Sequence, residues 1–116
     1  HDLFDIGGEL SIPNHIKMDD KKIVFLENKL DAMNNELESL KEFILPGGSK
    51  ASSYCHLART VCRRVERSLF NLAQTDKVNE ASLKYINRLS DMLFVLARFL
   101  NKINHVNDMF WKKDTK

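Results

Sequence analysis

The stretch SSYCHLARTVCRRVERSLFNL, residues 52–72, decides the fold. It contains neither Gly nor Pro, and Tyr54, Ala58, Val61, Val65, Leu69 and Leu72 recur at steps of three and four, the spacing that lines up side chains along one side of an α-helix. The pattern predicts a helix over about Ser52–Leu72 with that apolar stripe buried. The same stretch carries the densest polar run in the chain, Arg59, Arg63, Arg64, Glu66 and Arg67 within ARTVCRRVER. At about 100° per residue, Arg59, Arg63 and Glu66 fall within about 60° of one another, Arg67 borders them and Arg64 points elsewhere. Guanidinium groups are planar, always charged and able to grip phosphate oxygens in pairs, so such a stripe suits a triphosphate. Glu66 suits the orienting of those arginines or the placing of a metal ion. Spacing alone divides evenly between this reading and a solvated helix face laced with ion pairs.

Upstream, FILPGGS at residues 43–49 breaks the periodicity: Pro46 ends a helix, the glycines permit a turn, and Ser49 or Ser52 caps the next helix. Before it, Ile23, Leu26, Leu30, Met33, Leu37 and Leu40 form a heptad-like stripe read as a packing seam, with Asp19 or Asp20 available as N-cap. A first, short segment over about Asp2–Ser11 places Leu3, Ile6 and Leu10 on one face. Nothing caps it, and it reads as the second half of a helix whose upstream residues are missing. Downstream, a polar turn at Gln74–Asn79 leads to a fourth helix over about Asn79–Lys102. There Leu83, Ile86, Leu93, Leu96 and Leu100 are expected inward, and Met92, Val95 and Phe99 widen the apolar face enough to require neighbours on more than one side. Asn87, Asp91 and Arg98 make a narrow polar seam in it; Asn87 suits a phosphate or a ribose, while Asp91 and Arg98 read as structural ion-pair partners. The tail from His105 is expected to fray, although Phe110 and Trp111 suggest that part of it packs.

Composition agrees with an all-α domain spanning residues 1–116. Of the 116 residues, 43% are apolar and 29% charged, and Gly and Pro number only four and two, leaving few turn formers. The 18 basic residues nearly cancel the 16 acidic ones, so the net charge of +2 argues against a nucleic-acid partner. No apolar run approaches the roughly 20 residues that cross a bilayer, so no membrane association is expected. Cys55 and Cys62 stand about 10 Å apart along one helix axis, too far for a disulfide, and fit reduced packing residues of a cytoplasm or a mitochondrial matrix.

Several other signals are weak. Gly47-Gly48-Ser49-Lys50 lacks the GxxxxGK pattern of a phosphate loop and joins helix to helix. His56 near Cys55 and Cys62 lacks zinc-site spacing, and no serine, histidine and aspartate arrangement supports a hydrolase.

FILPGGSKASSYCHLARTVCRRVER (residues 43–67) and YINRLSDMLFVLAR (residues 85–98) together closely resemble the two signature stretches of PduO-type ATP:cob(I)alamin adenosyltransferases, and HDLFDIGGELSIP (residues 1–13) resembles the segment that precedes them. The resemblance implies a five-helix bundle, its first helix largely missing here, that assembles as a homotrimer with active sites between subunits. It implies transfer of the 5′-deoxyadenosyl group of ATP to cob(I)alamin, giving adenosylcobalamin and triphosphate, with Mg2+ accompanying the nucleotide. By position in the motifs, Arg63, Arg64, Glu66, Arg67 and Asn87 correspond to ATP-binding residues. Arg59 corresponds to an arginine that pairs with an acidic residue of the adjacent subunit, and Phe43 to the aromatic residue placed against the corrin ring. No covalent nucleophile is needed, since reduced cobalt is itself the nucleophile. The family's glycine- and threonine-rich N-terminal segment is absent before His1, so these residues alone are expected to be inactive or nearly so. Two other classes stay open: a non-catalytic trimeric module that binds cobalamin or a nucleotide, and a plain helical assembly protein.

Overall fold

The computed structural model describes residues 1–114. In chain order it runs α1 (Asp2–Ser11), α2 (Asp20–Asn34), β1 (Ile44–Leu45), α3 (Lys50–Leu72), α4 (Glu80–Ile103) and β2 (Met109–Phe110). Helices dominate, as the composition predicts. Among the described residues no helix is long and apolar enough to cross a membrane.

Each long helix starts on a side chain that satisfies free main-chain donors. Asp19 accepts from Lys21 and Lys22, Ser49 from Ser52, and Asn79 from Ala81. The α3–α4 pair is an antiparallel hairpin: Ser49, near the start of α3, bonds to Asn101, near the end of α4, while Cys62 donates through Sγ to the carbonyl of Ile86. α2 packs on the other side of α4, giving the wide apolar face of α4 the two neighbours it requires. Ile6, Met18, Ile23 and Leu26 meet Cys62, Leu69, Tyr85 and Ile86 in one buried cluster. Each fully buried large aliphatic side chain there contributes about 1.5–3 kcal/mol.

A ten-residue helix is marginal alone, and α1 is tied down mainly by polar contacts. Glu9 accepts from the main-chain N–H of Lys17 and Met18, from Asn79 and from Ser82. Tyr85 donates to Asp2 at 2.9 Å, and Lys22 lies 3.4 Å from Asp2 and 3.2 Å from Asp5. Of the face predicted from Leu3, Ile6 and Leu10, only Ile6 is buried. α1 touches its neighbours along one narrow line, so the flanking leucines face out.

Three further expectations change. α2 stops at Asn34, so Leu37 and Leu40 lie beyond the helix and Leu40 is exposed; consecutive Asn34 and Asn35, weak helix formers, end it before the stripe does. On α3 the predicted inward stripe is the outward one: Tyr54, Val61, Val65 and Leu72 are exposed, whereas Ser52, His56, Cys62 and Leu69 are buried. Of the six residues predicted inward, Leu69 alone is buried. α3 meets α4 through short or polar side chains, Cys62 on the Ile86 carbonyl, His56 against the Phe94 ring and Glu66 on Asn87, so its more apolar stripe is turned away from α4. The tail does not simply fray. β2 pairs antiparallel with β1, Ile44 opposite Phe110 and Leu45 opposite Met109, and Trp111 N–H donates to the Phe43 carbonyl at 2.7 Å.

Candidate functional site

The arginine run lies on the second half of α3, about 20 Å along the axis from its first turn. Arg63, Arg64 and Arg67 are exposed, and none of them makes an ion pair among the described residues. Three guanidinium groups therefore face solvent within five residues, none within ion-pair distance of a carboxylate among the described residues. Such groups repel one another and favour a polyanionic ligand.

Glu66 and Asn87 bring α3 and α4 together beside that run. The Asn87 Nδ2 donates to Glu66 Oε2 at 2.7 Å, and Arg88 Nη1 donates to Asn87 Oδ1 at 2.7 Å. Arg88 in turn lies 3.8 Å from Glu27 on α2 and 3.8 Å from Asp91. One polar chain thus crosses three helices and fixes the Asn87 carboxamide at both ends.

Arg59 is partly buried, its guanidinium 5.2 Å from the centre of the Phe94 ring. This cation–π contact holds it at the helix interface, and among the described residues no carboxylate pairs with it. The buried His56 stands edge-on to the same ring, centroids 6.4 Å apart, and its Nε2 has no hydrogen-bond partner among the described residues. Burial first, and then the nearby Arg59 charge, lower its pKa against an opposing pull from Asp108. Among the described residues no group of three or more His, Cys, Asp or Glu side chains is placed to hold a metal ion. Cys55 and Cys62 are free thiols; burial raises both pKa values, aided at Cys62 by Glu66.

Phe43 stands apart from the arginines, on the loop leading to α3. Its ring is 80% exposed and meets Trp111 edge to face, centroids 6.4 Å apart at 71°. Between this loop and α3 lies an open hollow of about 270 Å³ lined by Pro46, Gly47, Ser53, His56, Leu57 and Thr60. Thr60 sits one turn before Arg63, so the hollow lies between the aromatic ribbon and the arginine run. Asp91 and Arg98 do serve internal ion pairs: Arg98 is buried, 3.1 Å from Asp108, and also donates to the Glu38 carbonyl. Sequence reasoning missed the roles of Phe94, Asn101 and Asp108. Only a register between helices that are distant in sequence puts Phe94 under Arg59, and no local pattern carries that register.

Comparisons with known proteins converge. The sequence profile of the family described as "Cobalamin adenosyltransferase" matches residues 1–100. The chain is 48% identical over 114 residues to the cobalamin adenosyltransferase of Cupriavidus metallidurans, covering 98% of this chain and 62% of that protein. It is 41% identical over 116 residues to the corrinoid adenosyltransferase of Bacillus subtilis, covering 97% of this chain and 60% of that protein. Its fold superposes on a variant of the PduO-type ATP:corrinoid adenosyltransferase from Lactobacillus reuteri, complexed with cobalamin and ATP. That match has a TM-score of 0.91 at 35% identity and covers 96% of this chain and 63% of that one. The chain therefore spans under two thirds of the length of these relatives. With both signature stretches inside the matched residues and the helices in the same arrangement, the chain belongs to the cobalamin adenosyltransferase family.

Proposed function

We propose that the protein carrying this chain transfers the 5′-deoxyadenosyl group of ATP to cob(I)alamin. The observation that carries the reading is the exposed trio Arg63, Arg64 and Arg67, in no ion pair among the described residues, beside the Glu66–Asn87 bond, in a chain whose structural neighbour is complexed with cobalamin and ATP. Reduced cobalt brings its own electron pair: a cobalt–carbon bond forms at the 5′ carbon of ATP as the bond from that carbon to oxygen breaks, and triphosphate leaves. Protein residues have two tasks, holding the substrates in line and stabilising charge that grows on the leaving group. The arginines suit the second, with Arg63 and Arg67 on the Glu66 side of the helix. Asn87, fixed by Glu66 and Arg88, suits a nucleotide oxygen. Phe43, exposed and apolar, suits the flat corrin ring, where it excludes water.

Mg2+ fits this residue set: it binds nucleotides mainly through phosphate oxygens plus one or two carboxylates, and Glu66 is the carboxylate placed beside the arginines. When bound there it neutralises phosphate charge.

The outward stripe of α3 supports a shared site. Tyr54, Leu57, Val61 and Val65 are exposed along one side of the helix, a patch that calls for a second copy of the chain. In the resulting homotrimer Arg59 meets an acidic residue of its neighbour and each site lies between subunits. Incubating the complete protein with ATP and chemically reduced cobalamin tests the function. Adenosylcobalamin and triphosphate should appear in equal amounts, and binding of both substrates without turnover would instead identify a carrier.

A further inference from the structure

The ribbon formed by β1 and β2 is too short to hold itself. Two strands of two residues each have no independent stability in water, yet this ribbon carries the exposed rings of Phe43 and Trp111 at one end. Its other end is clamped to α4. Asn101 is 1% exposed, and its carboxamide reaches both strands' flanks. Oδ1 accepts from Ser49 N–H at 2.9 Å, while Nδ2 donates to the Gly47 carbonyl at 3.3 Å and to Asp108 Oδ1 at 3.1 Å. Gly47 follows β1 and Asp108 precedes β2, so one side chain fixes the two strands where they meet the helix. Arg98, one turn earlier on α4, completes the clamp by pairing with the second Asp108 oxygen at 3.1 Å. The fit leaves no slack: a Cβ on Gly48 would come within 2.4 Å of the Asn101 amide.

We infer that Asn101 is a positioning residue for the corrinoid side of the site, acting through the ribbon. It sets the height and tilt at which Phe43 and Trp111 present an apolar wall to a flat, macrocyclic ligand. The inference rests on the proposed reading that Phe43 faces the corrin ring. It goes further in assigning the wall's geometry to a buried amide at the far end of the ribbon and to a tail that local sequence would leave loose.

Kinetics of the complete protein test this. Asn101→Ala should raise the KM for cob(I)alamin about tenfold or more while the KM for ATP stays within about twofold, a split that general loss of structure does not produce. Trp111→Ala leaves the buried clamp intact and should act in the same direction, and Trp111→Phe, which restores an edge-to-face ring, should return the KM towards that of the parent. If Asn101→Ala does not fold, the two Trp111 variants decide. The inference is overturned if Asn101→Ala and Trp111→Ala leave the cob(I)alamin KM unchanged, or raise both KM values together. Phe43→Ala separates the two levels. If it raises the cob(I)alamin KM and Trp111→Ala does not, positioning through the ribbon alone is wrong; if it has no effect, the reading of Phe43 falls and takes the inference with it.

Discussion

Asn87 on α4 donates to Glu66 on α3 at 2.7 Å, and Arg88 closes the other end of the same amide at 2.7 Å. The two bonds permit one orientation only, because a flipped amide would set its oxygen against the carboxylate and its N–H groups against the guanidinium. The two polar runs of the sequence therefore meet in a single prearranged unit beside the exposed arginines. Prearrangement matters because a group already oriented costs less to engage in the transition state.

Replacing that amide separates its parts. Asn87→Ala should cost about 1–3 kcal/mol of stability through the bonds lost from Glu66 and Arg88. Asn87→Asp, equal in size, should cost more, because it sets a carboxylate against Glu66. Both should raise the KM for ATP about tenfold or more. Denaturant unfolding and steady-state kinetics measure the two effects, and an Asn87→Asp protein as stable as the parent would sink the argument.

How far the sequence reaches can be judged from single positions. The caps Asp19, Ser49 and Asn79 lie close to the element boundaries that periodicity predicts, because capping is local chemistry. The orientation of α3 is hidden because the helix carries two stripes. One, Ser52, His56, Cys62 and Leu69, packs within the chain; the other, Tyr54, Val61 and Val65, is more apolar and points out. Periodicity ranks stripes by hydropathy and cannot tell which neighbour each one serves. The Glu66–Asn87 meeting is half legible, since each residue lies on a recognisable polar seam while their contact depends on helix register. The ribbon is not legible, because its strands are two residues long and its anchor, Asn101, stands in the last turn of a helix like any polar residue there.

Glu9 makes stability depend on pH at the acid end. Burial pushes its pKa up, but hydrogen bonds from Ser82, Met18, Lys17 and Asn79 outweigh that and hold it below the ordinary value of 4.5. A carboxyl group depressed in the folded state contributes stability that is fully present above its unfolded pKa and is lost as pH falls through its folded pKa. Unfolding midpoints should accordingly drop below about pH 4.5, and Glu9→Ala should cost about 1–3 kcal/mol at neutral pH by leaving buried donors unsatisfied. The difference between variant and parent should shrink at about pH 3; a constant gap across that range would mean that Glu9 acts by packing alone.

Gly48 should tolerate no side chain. Its φ of +106° already lies where L-residues are strained, and the atom that alanine adds would meet the Asn101 amide at 2.4 Å. Asn101 is itself held by three bonds and cannot withdraw without breaking them. Gly48→Ala should therefore cost about 3 kcal/mol or more, combining backbone strain with the broken network. Gly7→Ala is the contrasting case, since nothing lies within 4 Å of its Cβ position and α1 gains helix propensity there. Thermal unfolding of the two variants should move in opposite directions, and equal midpoints would contradict the tight fit seen around Gly48.

The outward face of α3 should decide assembly. Val61 sits in the middle of the exposed stripe, one turn from Leu57 and one from Val65, so in the proposed homotrimer it is buried against another copy. Val61→Asp would place a carboxylate in that apolar contact, at a cost of several kcal/mol unless a partner is found. Within a single chain the position is solvent-facing, so the change should leave the fold of the subunit intact. Light scattering during size exclusion should give a trimer for the parent and a monomer for the variant, with circular dichroism unchanged. Adenosyl transfer should disappear along with the trimer, because Arg59 has no counter-charge among the described residues of its own chain and draws one from the neighbour in the proposed arrangement. A Val61→Asp monomer that retained full activity would show that one subunit carries a complete site, and would remove the shared-site reading while leaving the arginine run of α3 in place.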